Sequence, residues 1–222
     1  MKRLKLLMNL LTALPFAAVL AATFFLPDEV PAHFGFGGEA DRYGSKYELF
    51  ILAAIVLLAR LMMAGLTRLA VSAEKDGETR AVMDVVTLCL VAFFDLLTLY
   101  FIWVAAAAPE NINDMPLGIW QLTMGALGIM FVPMGLAMPR LKRNSVSGFR
   151  TKWSMMNDEV WALSQRFAGR SMVLAGAAIL ICAVLLPGAW SAAAAAAALV
   201  VMLIADCRYA KKAYFRLRGF ED

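Results

Sequence analysis

Long apolar runs alternate with short polar segments along this chain. A helix needs roughly 20 apolar residues to cross hydrocarbon about 30 Å thick, and six runs come near that length. They cover residues 6–26, 49–71, 83–108, 118–138, 171–186 and 190–205. Only three residues, including Pro187 and Gly188, separate the fifth and sixth runs, which predicts a tight helical hairpin. The pattern predicts an all-α, polytopic membrane protein in which residues 1–222 form a single domain with six transmembrane helices.

The basic residues sort by segment and predict the orientation of these helices. The composition is 62% hydrophobic with a mean hydropathy of +0.70, which leaves too few polar residues to coat a soluble globule. If the N-terminus is inside, every Lys and Arg falls on the inner side except Arg42, Lys46 and Arg60. This bias predicts that both termini lie in the cytoplasm. Because membrane orientation accounts for the net charge of +4, direct nucleic-acid binding is not predicted.

The outer segments carry mainly acidic residues. Residues 27–48 form the first outer loop, and Glu110 and Asp114 belong to the second. This charge would attract a cationic partner. It is also what remains when basic residues are kept from the translocated side, and both interpretations stay open.

The inner loop, residues 139–170, contains a helical pattern. Apolar residues recur at steps of three and four, at Trp153, Met156, Val160, Leu163 and Phe167. Ser154 or Asn157 can cap the start of this helix. Since basic residues flank it, we predict an amphipathic helix on the inner surface of the membrane, where it contacts lipid and precedes the fifth span.

Two ionisable residues fall inside predicted spans. Arg60 and Asp95 lie at similar depths of antiparallel helices, so they can form an ion pair; Asp84, Thr87 and Thr98 share a helix face with Asp95. A structural salt bridge is one interpretation, and an ion or substrate pathway is the other.

Motifs for enzymatic or metal chemistry are absent from the sequence. His33 is the only histidine, and the three cysteines have no metal-ligand spacing. A phosphate-binding glycine loop and a nucleophile elbow are also missing. We therefore predict neither a metal site, nor a cofactor, nor an enzyme.

Two segments carry a family resemblance. The first is LPDEVPAHF at 26–34 with GEADRYGSK at 38–46, and it resembles the extracytoplasmic motif called domain of unknown function 1648. The second is GFRTKWS at 148–154, NDEVW at 157–161 and RFAGR at 166–170, and it resembles the signature of SdpI-like immunity proteins. Lys152 departs from the family, which commonly has proline there.

The resemblance implies a six-span protein of the bacterial cytoplasmic membrane that protects against a secreted killing peptide, with a small cytoplasmic repressor as a further partner. It implies that the outer motif recognises the peptide, through Pro27, Pro31, His33, Gly38, Asp41, Arg42 and Lys46. It implies that the inner motif signals to a partner, through Gly148, Arg150, Thr151, Trp153, Glu159, Trp161, Arg166 and Gly169.

Three functional hypotheses follow. The leading one is a toxin-resistance protein whose outer surface recognises a cationic peptide and whose inner loop reports it to a repressor. One alternative is a transporter or channel that uses the region of Arg60 and Asp95. The other is an intramembrane enzyme with His33 and nearby carboxylates as acid and base.

Overall fold

The computed structural model describes residues 2–35, 37–72 and 77–219. Phe36, which belongs to the predicted outer loop, lies outside the described residues. So do residues 73–76, which belong to the inner connection between the second and third spans.

Six helices in the described ranges are long and apolar enough to cross a membrane, which confirms the predicted count. They are α1 (Lys2–Thr23), α2 (Phe50–Ser72), α3 (Gly77–Ala107), α4 (Ile119–Ala137), α5 (Asp158–Leu185) and α6 (Ala189–Leu217). Each carries large hydrophobic side chains at exposed positions, as a helix in lipid must.

The ends of α5 and α6 differ from the predicted spans. Residues 158–170 are helical as expected, and they form the first part of α5, which continues through the fifth span. Asn157 caps this helix, and its side chain accepts a hydrogen bond from the N–H of Val160 at 2.8 Å. Trp153 and Met156 therefore precede the helix. No proline interrupts residues 158–185, and hydropathy marks where a helix is apolar and not where it ends. For the same reason α6 continues beyond residue 205.

The first outer loop forms a β-hairpin. Strands β1 (Glu29–Phe34) and β2 (Ala40–Ser45) pair antiparallel, with register shifts around His33. A short 3₁₀ turn at Lys46–Leu49 then leads into α2. The sequence predicts only an outer loop at residues 27–48, and the structure shows that this loop contains two paired strands.

The chain groups into two compact units, and each has its own packing. The first comprises residues 1–62 and 90–123, and the second comprises residues 63–89 and 124–222. In the first unit Val30 of the hairpin packs with Val19, Leu26, Leu49 and Ala105. Through Val30 the hairpin packs on α1 and α3, which buries apolar surface of the outer loop.

In the second unit, α4 and α5 approach each other at two pairs of glycines. A methyl group built on Gly135 would lie 2.6 Å from the carbonyl oxygen of Gly169, and one built on Gly128 would lie 2.7 Å from that of Gly176. Gly128 and Gly135 are seven residues apart on α4, and Gly169 and Gly176 are seven residues apart on α5, so the two contacts run in opposite chain directions as antiparallel packing requires. Close backbone approach at small residues is a common way for helices to associate in lipid, where no hydrophobic force acts between them.

Candidate functional site

The second outer loop holds the tip of the hairpin. The side-chain amides of Asn111 and Asn113 both donate to the carbonyl oxygen of Gly37, at 3.1 and 3.0 Å. The backbone contributes as well, because the N–H of Ile112 donates to the carbonyl oxygen of Gly38 at 2.8 Å. Gly38 has φ +91°, and a Cβ there would lie 2.3 Å from the Asn113 amide nitrogen. Only glycine fits this position.

Charged residues of the outer motif pair with one another. Arg42 donates to both carboxylate oxygens of Glu48, at 3.2 and 2.9 Å, and this hydrogen bonding, with the charge of Glu48, raises the pKa of Arg42 above its ordinary value. Lys46 lies 3.0 Å from Asp28 and also donates to the carbonyl oxygen of Leu26 at 3.2 Å. Lys46 thus ties the end of α1 to the start of α2.

Other acidic residues of the outer loops remain exposed. Glu29, Glu39, Glu110 and Asp114 have no ion-pair partner among the described residues. These unpaired carboxylates give the two outer loops a negatively charged surface.

His33 contacts one carboxylate. Its Nδ1 lies 2.5 Å from Asp41, and since a carboxylate only accepts, this nitrogen donates. Both side chains are exposed. The enzymatic hypothesis required convergence with two carboxylates, and in the described part of the chain Asp41 alone bonds to His33. No three potential metal ligands converge within those same residues.

The two prolines of the outer motif differ in burial. Pro31 is buried in β1, whereas Pro27 is exposed.

The inner motif begins with a reciprocal pair of hydrogen bonds. The N–H of Thr151 donates to the hydroxyl of Ser154 at 2.8 Å, and the N–H of Ser154 donates to the hydroxyl of Thr151 at 3.0 Å. This is the capping-box pattern. The Ser154 hydroxyl also donates to the carbonyl oxygen of Phe149. Trp153 packs on Tyr214 and Phe215 of α6, and the ammonium of Lys152 lies over its ring.

Side chains of α5 lock the preceding loop in place. The buried Gln165 accepts from the N–H of Phe149 and donates to its carbonyl oxygen, both at 2.9 Å. Trp161, only 2% exposed, donates from its indole nitrogen to Leu141 at 2.6 Å. Gly148 has φ +103°, and a Cβ there would lie 2.9 Å from both Gln165 and Trp161.

The inner motif therefore divides into two groups. Thr151, Trp153, Trp161 and Gly169 make internal contacts, with Gly169 against the backbone of α4. Arg150, Glu159 and Arg166 are exposed, and none of them has an ion-pair partner among the described residues. Surface roles can rest only on the second group.

Arg60 and Asp95 do not form the predicted ion pair. Asp95 is 4% exposed, and neither of its carboxylate oxygens has a hydrogen-bond partner in the described residues; Nε of Arg60 is also unpartnered. Thr98 does not satisfy Asp95, because its hydroxyl donates to the carbonyl oxygen of Phe94 in the same helix. Matched depth along two helices does not fix the direction in which each side chain points, which is why the prediction was wrong.

Sequence reasoning missed several residues that hold these sites. Asn111 and Asn113 carried a signal, since asparagines in short loops bond to nearby backbone. Gln165 carried less, because a polar residue of an amphipathic helix is expected to face water until its buried partner is known. Asp206 fell just beyond the predicted sixth span, and it accepts from the hydroxyl of Ser171 at 2.6 Å.

Comparison with known proteins confirms the resemblance in both motifs. Residues 140–205 match the SdpI/YfhL protein family, and residues 10–57 match the domain of unknown function DUF1648. The immunity protein SdpI of Bacillus subtilis is 23% identical over 172 residues, which are 78% of this chain and 77% of that protein. An uncharacterised protein of Archaeoglobus fulgidus is 50% identical over 44 residues, 20% of this chain and 24% of that protein. No solved structure matches significantly.

These similarities agree with the six apolar helices in describing a multi-pass membrane protein. The chain is similar to an SdpI immunity protein along most of its length, and its outer and inner sites lie in the segments that match DUF1648 and SdpI/YfhL.

Proposed function

We propose that this protein is an immunity protein of the bacterial cytoplasmic membrane that protects its cell by binding a secreted cationic peptide at the outer hairpin. One observation carries the proposal: Asn111 and Asn113 fix the hairpin, while Glu29, Glu39, Glu110 and Asp114 remain exposed without ion-pair partners among the described residues. The similarity to the immunity protein SdpI supports this function over enzymatic activity.

A rigid, acidic surface suits recognition of a cationic peptide. Complementary charge raises the rate of encounter and acts over about 10 Å at 0.1 M salt. Because the hairpin is already ordered, binding would not have to order it, and affinity would benefit. Protection should therefore weaken as the ionic strength of the medium rises.

The test neutralises two acids of β1 and the hairpin tip. The double variant Glu29→Gln and Glu39→Gln is expressed in a sensitive bacterium, which is challenged with cationic and anionic membrane-active peptides. We expect cells that express the wild type to need a higher inhibitory concentration of at least one cationic peptide than cells that lack the protein. The double variant should lower this inhibitory concentration several-fold relative to the wild type. Glu29→Asp with Glu39→Asp is the matched control, because it keeps the charge. Equal protection by the Gln and Asp variants at equal abundance would contradict the proposal.

The inner loop is proposed to signal through Arg150. This residue is exposed beside Thr151 and Ser154, whose hydrogen bonds hold the loop, and it has no ion-pair partner in the described ranges. Arg150→Ala should abolish recruitment of a cytoplasmic repressor to the membrane at normal protein abundance. Trp161→Ala should instead lower abundance, because it leaves a cavity. Unchanged recruitment in the Arg150 variant would remove this surface from the function.

A further inference from the structure

A groove of about 730 Å³ runs between α4 and α5 in the second unit. Gly135, Leu136 and Pro139 line one wall, and Arg166, Arg170 and Leu174 line the other. The contact between Gly135 and Gly169 brings the two backbones together at its base. We call this feature the α4–α5 groove.

Two arginines supply the charge of the groove. Arg166 and Arg170 are four residues apart on α5, so their guanidinium groups lie one turn apart on the same face. Both are exposed, and neither has an ion-pair partner among the described residues. Paired guanidinium groups suit a phosphate, since each presents a planar fork of donors.

The same groove becomes apolar one turn further along α5. Leu174 is 71% exposed and Leu136 is 65% exposed, so both present hydrocarbon to whatever occupies the groove. Four residues of helix place Leu174 about 6 Å beyond Arg170, towards the centre of the membrane in the orientation that the charges predict. An anionic group with an apolar chain attached fits this order.

We propose that the α4–α5 groove binds an anionic phospholipid of the cytoplasmic leaflet. Its phosphate accepts hydrogen bonds from Arg166 and Arg170, and an acyl chain lies along Leu136 and Leu174. The volume suits a headgroup and the first part of a chain. This site is separate from the outer hairpin, and peptide protection does not require it.

Lipid binding to the full-length protein tests the proposal. The purified protein is titrated with phosphatidylglycerol or phosphatidylcholine in detergent, and bound lipid is counted by native mass spectrometry. We expect the wild type to prefer phosphatidylglycerol and the double variant Arg166→Gln and Arg170→Gln to bind it about thirtyfold more weakly. The matched control is Arg208→Gln with Lys212→Gln, which removes equal charge at the same spacing from exposed positions of α6 outside the groove. Its affinity should stay within about twofold of the wild type.

A steric variant tests the groove independently of charge. Leu174→Trp places an indole in the apolar part without altering the arginines, and it should also weaken phosphatidylglycerol binding. Equal losses in the two charge variants would mean a diffuse basic surface and would overturn the proposal. Unchanged phosphatidylglycerol binding by the Arg166 and Arg170 double variant would overturn it too. If that variant bound lipid fully but no longer bound an acidic cytoplasmic protein, the groove would be the binding site of that protein.

Discussion

Asp95 is a buried acid of the first unit whose carboxylate lacks a hydrogen-bond partner in the described residues. Leaving a buried polar group unpaired costs about 1–3 kcal/mol, and more if it is charged. A residue retained at such a cost is either tolerated or used, and these alternatives predict different outcomes for its replacement.

We expect Asp95→Leu to raise the free energy of unfolding by about 1–3 kcal/mol, because an apolar group of similar size needs no partner. Asp206→Leu is the matched control, since Asp206 is 3% exposed but accepts from Ser171 at 2.6 Å, and its replacement should destabilise the protein. Thermal unfolding of the purified variants measures both effects. A loss of stability in the Asp95 variant equal to that in the Asp206 variant would mean that Asp95 has a partner after all. If the stabilised Asp95 variant loses protection, the residue serves the function, as the transport hypothesis requires.

At the scale of elements, the contact between α4 and α5 depends on backbone proximity. Gly135→Ala would place its Cβ 2.6 Å from the carbonyl oxygen of Gly169, and a backbone atom cannot move aside as a flexible side chain can. Forcing the helices apart should cost about 1–3 kcal/mol.

Gly65→Ala in α2 is the matched control for this prediction, because nothing lies within 4 Å of the added methyl group. Its stability should be unchanged or higher, since alanine favours a helix over glycine by about 1 kcal/mol. Thermal unfolding in detergent compares the two variants. If Gly135→Ala unfolds at the same temperature as Gly65→Ala, the close approach contributes nothing to stability.

The elements also show how far the sequence predicts this structure. Six helices were predictable because a spanning segment must form all its backbone hydrogen bonds within itself and expose apolar side chains to lipid. Each helix is therefore visible in the sequence as a long apolar run. The start of α5 was predicted only to within the two candidate caps Ser154 and Asn157, because polar residues continue a helix as readily as apolar ones once the membrane ends. The spacing of Gly128 and Gly135 was visible in the sequence, but their partners on α5 were not, since partner choice depends on tertiary packing.

For the outer and inner sites, the sequence predicted the segments better than the individual surface residues. The motifs lie in the segments that match the two family models. Which motif residues reach the surface was not predictable: Trp161 and Arg150 lie eleven positions apart in one signature, yet one is buried and the other exposed. Trp161 is buried because the folded loop places the carbonyl oxygen of Leu141 against its indole nitrogen, and Gln165 holds the same loop through the backbone of Phe149. These contacts exist only once the loop has folded.

For the whole molecule, the distribution of charge predicts the orientation in the membrane. Every basic residue except Arg42, Lys46 and Arg60 falls on one side of the six spans, and such a bias places that side in the cytoplasm. In that orientation the proposed peptide site belongs to an outer loop, and the proposed lipid site belongs to the inner part of α4 and α5. Each proposed function needs the side that the charges predict for it, because a secreted peptide arrives from outside and the groove is proposed to bind a lipid of the inner leaflet.

Single cysteines can report this orientation. Serine replaces Cys89, Cys182 and Cys207, which have free thiols, and a cysteine is then introduced as Tyr43→Cys in the hairpin or Ser145→Cys in the inner loop, both at exposed positions. A membrane-impermeant maleimide should label the hairpin variant in intact cells and the inner-loop variant only after permeabilisation. Labelling of both after permeabilisation is the control for thiol reactivity. The reverse pattern in intact cells would place the hairpin in the cytoplasm, and it would exclude recognition of a secreted peptide there.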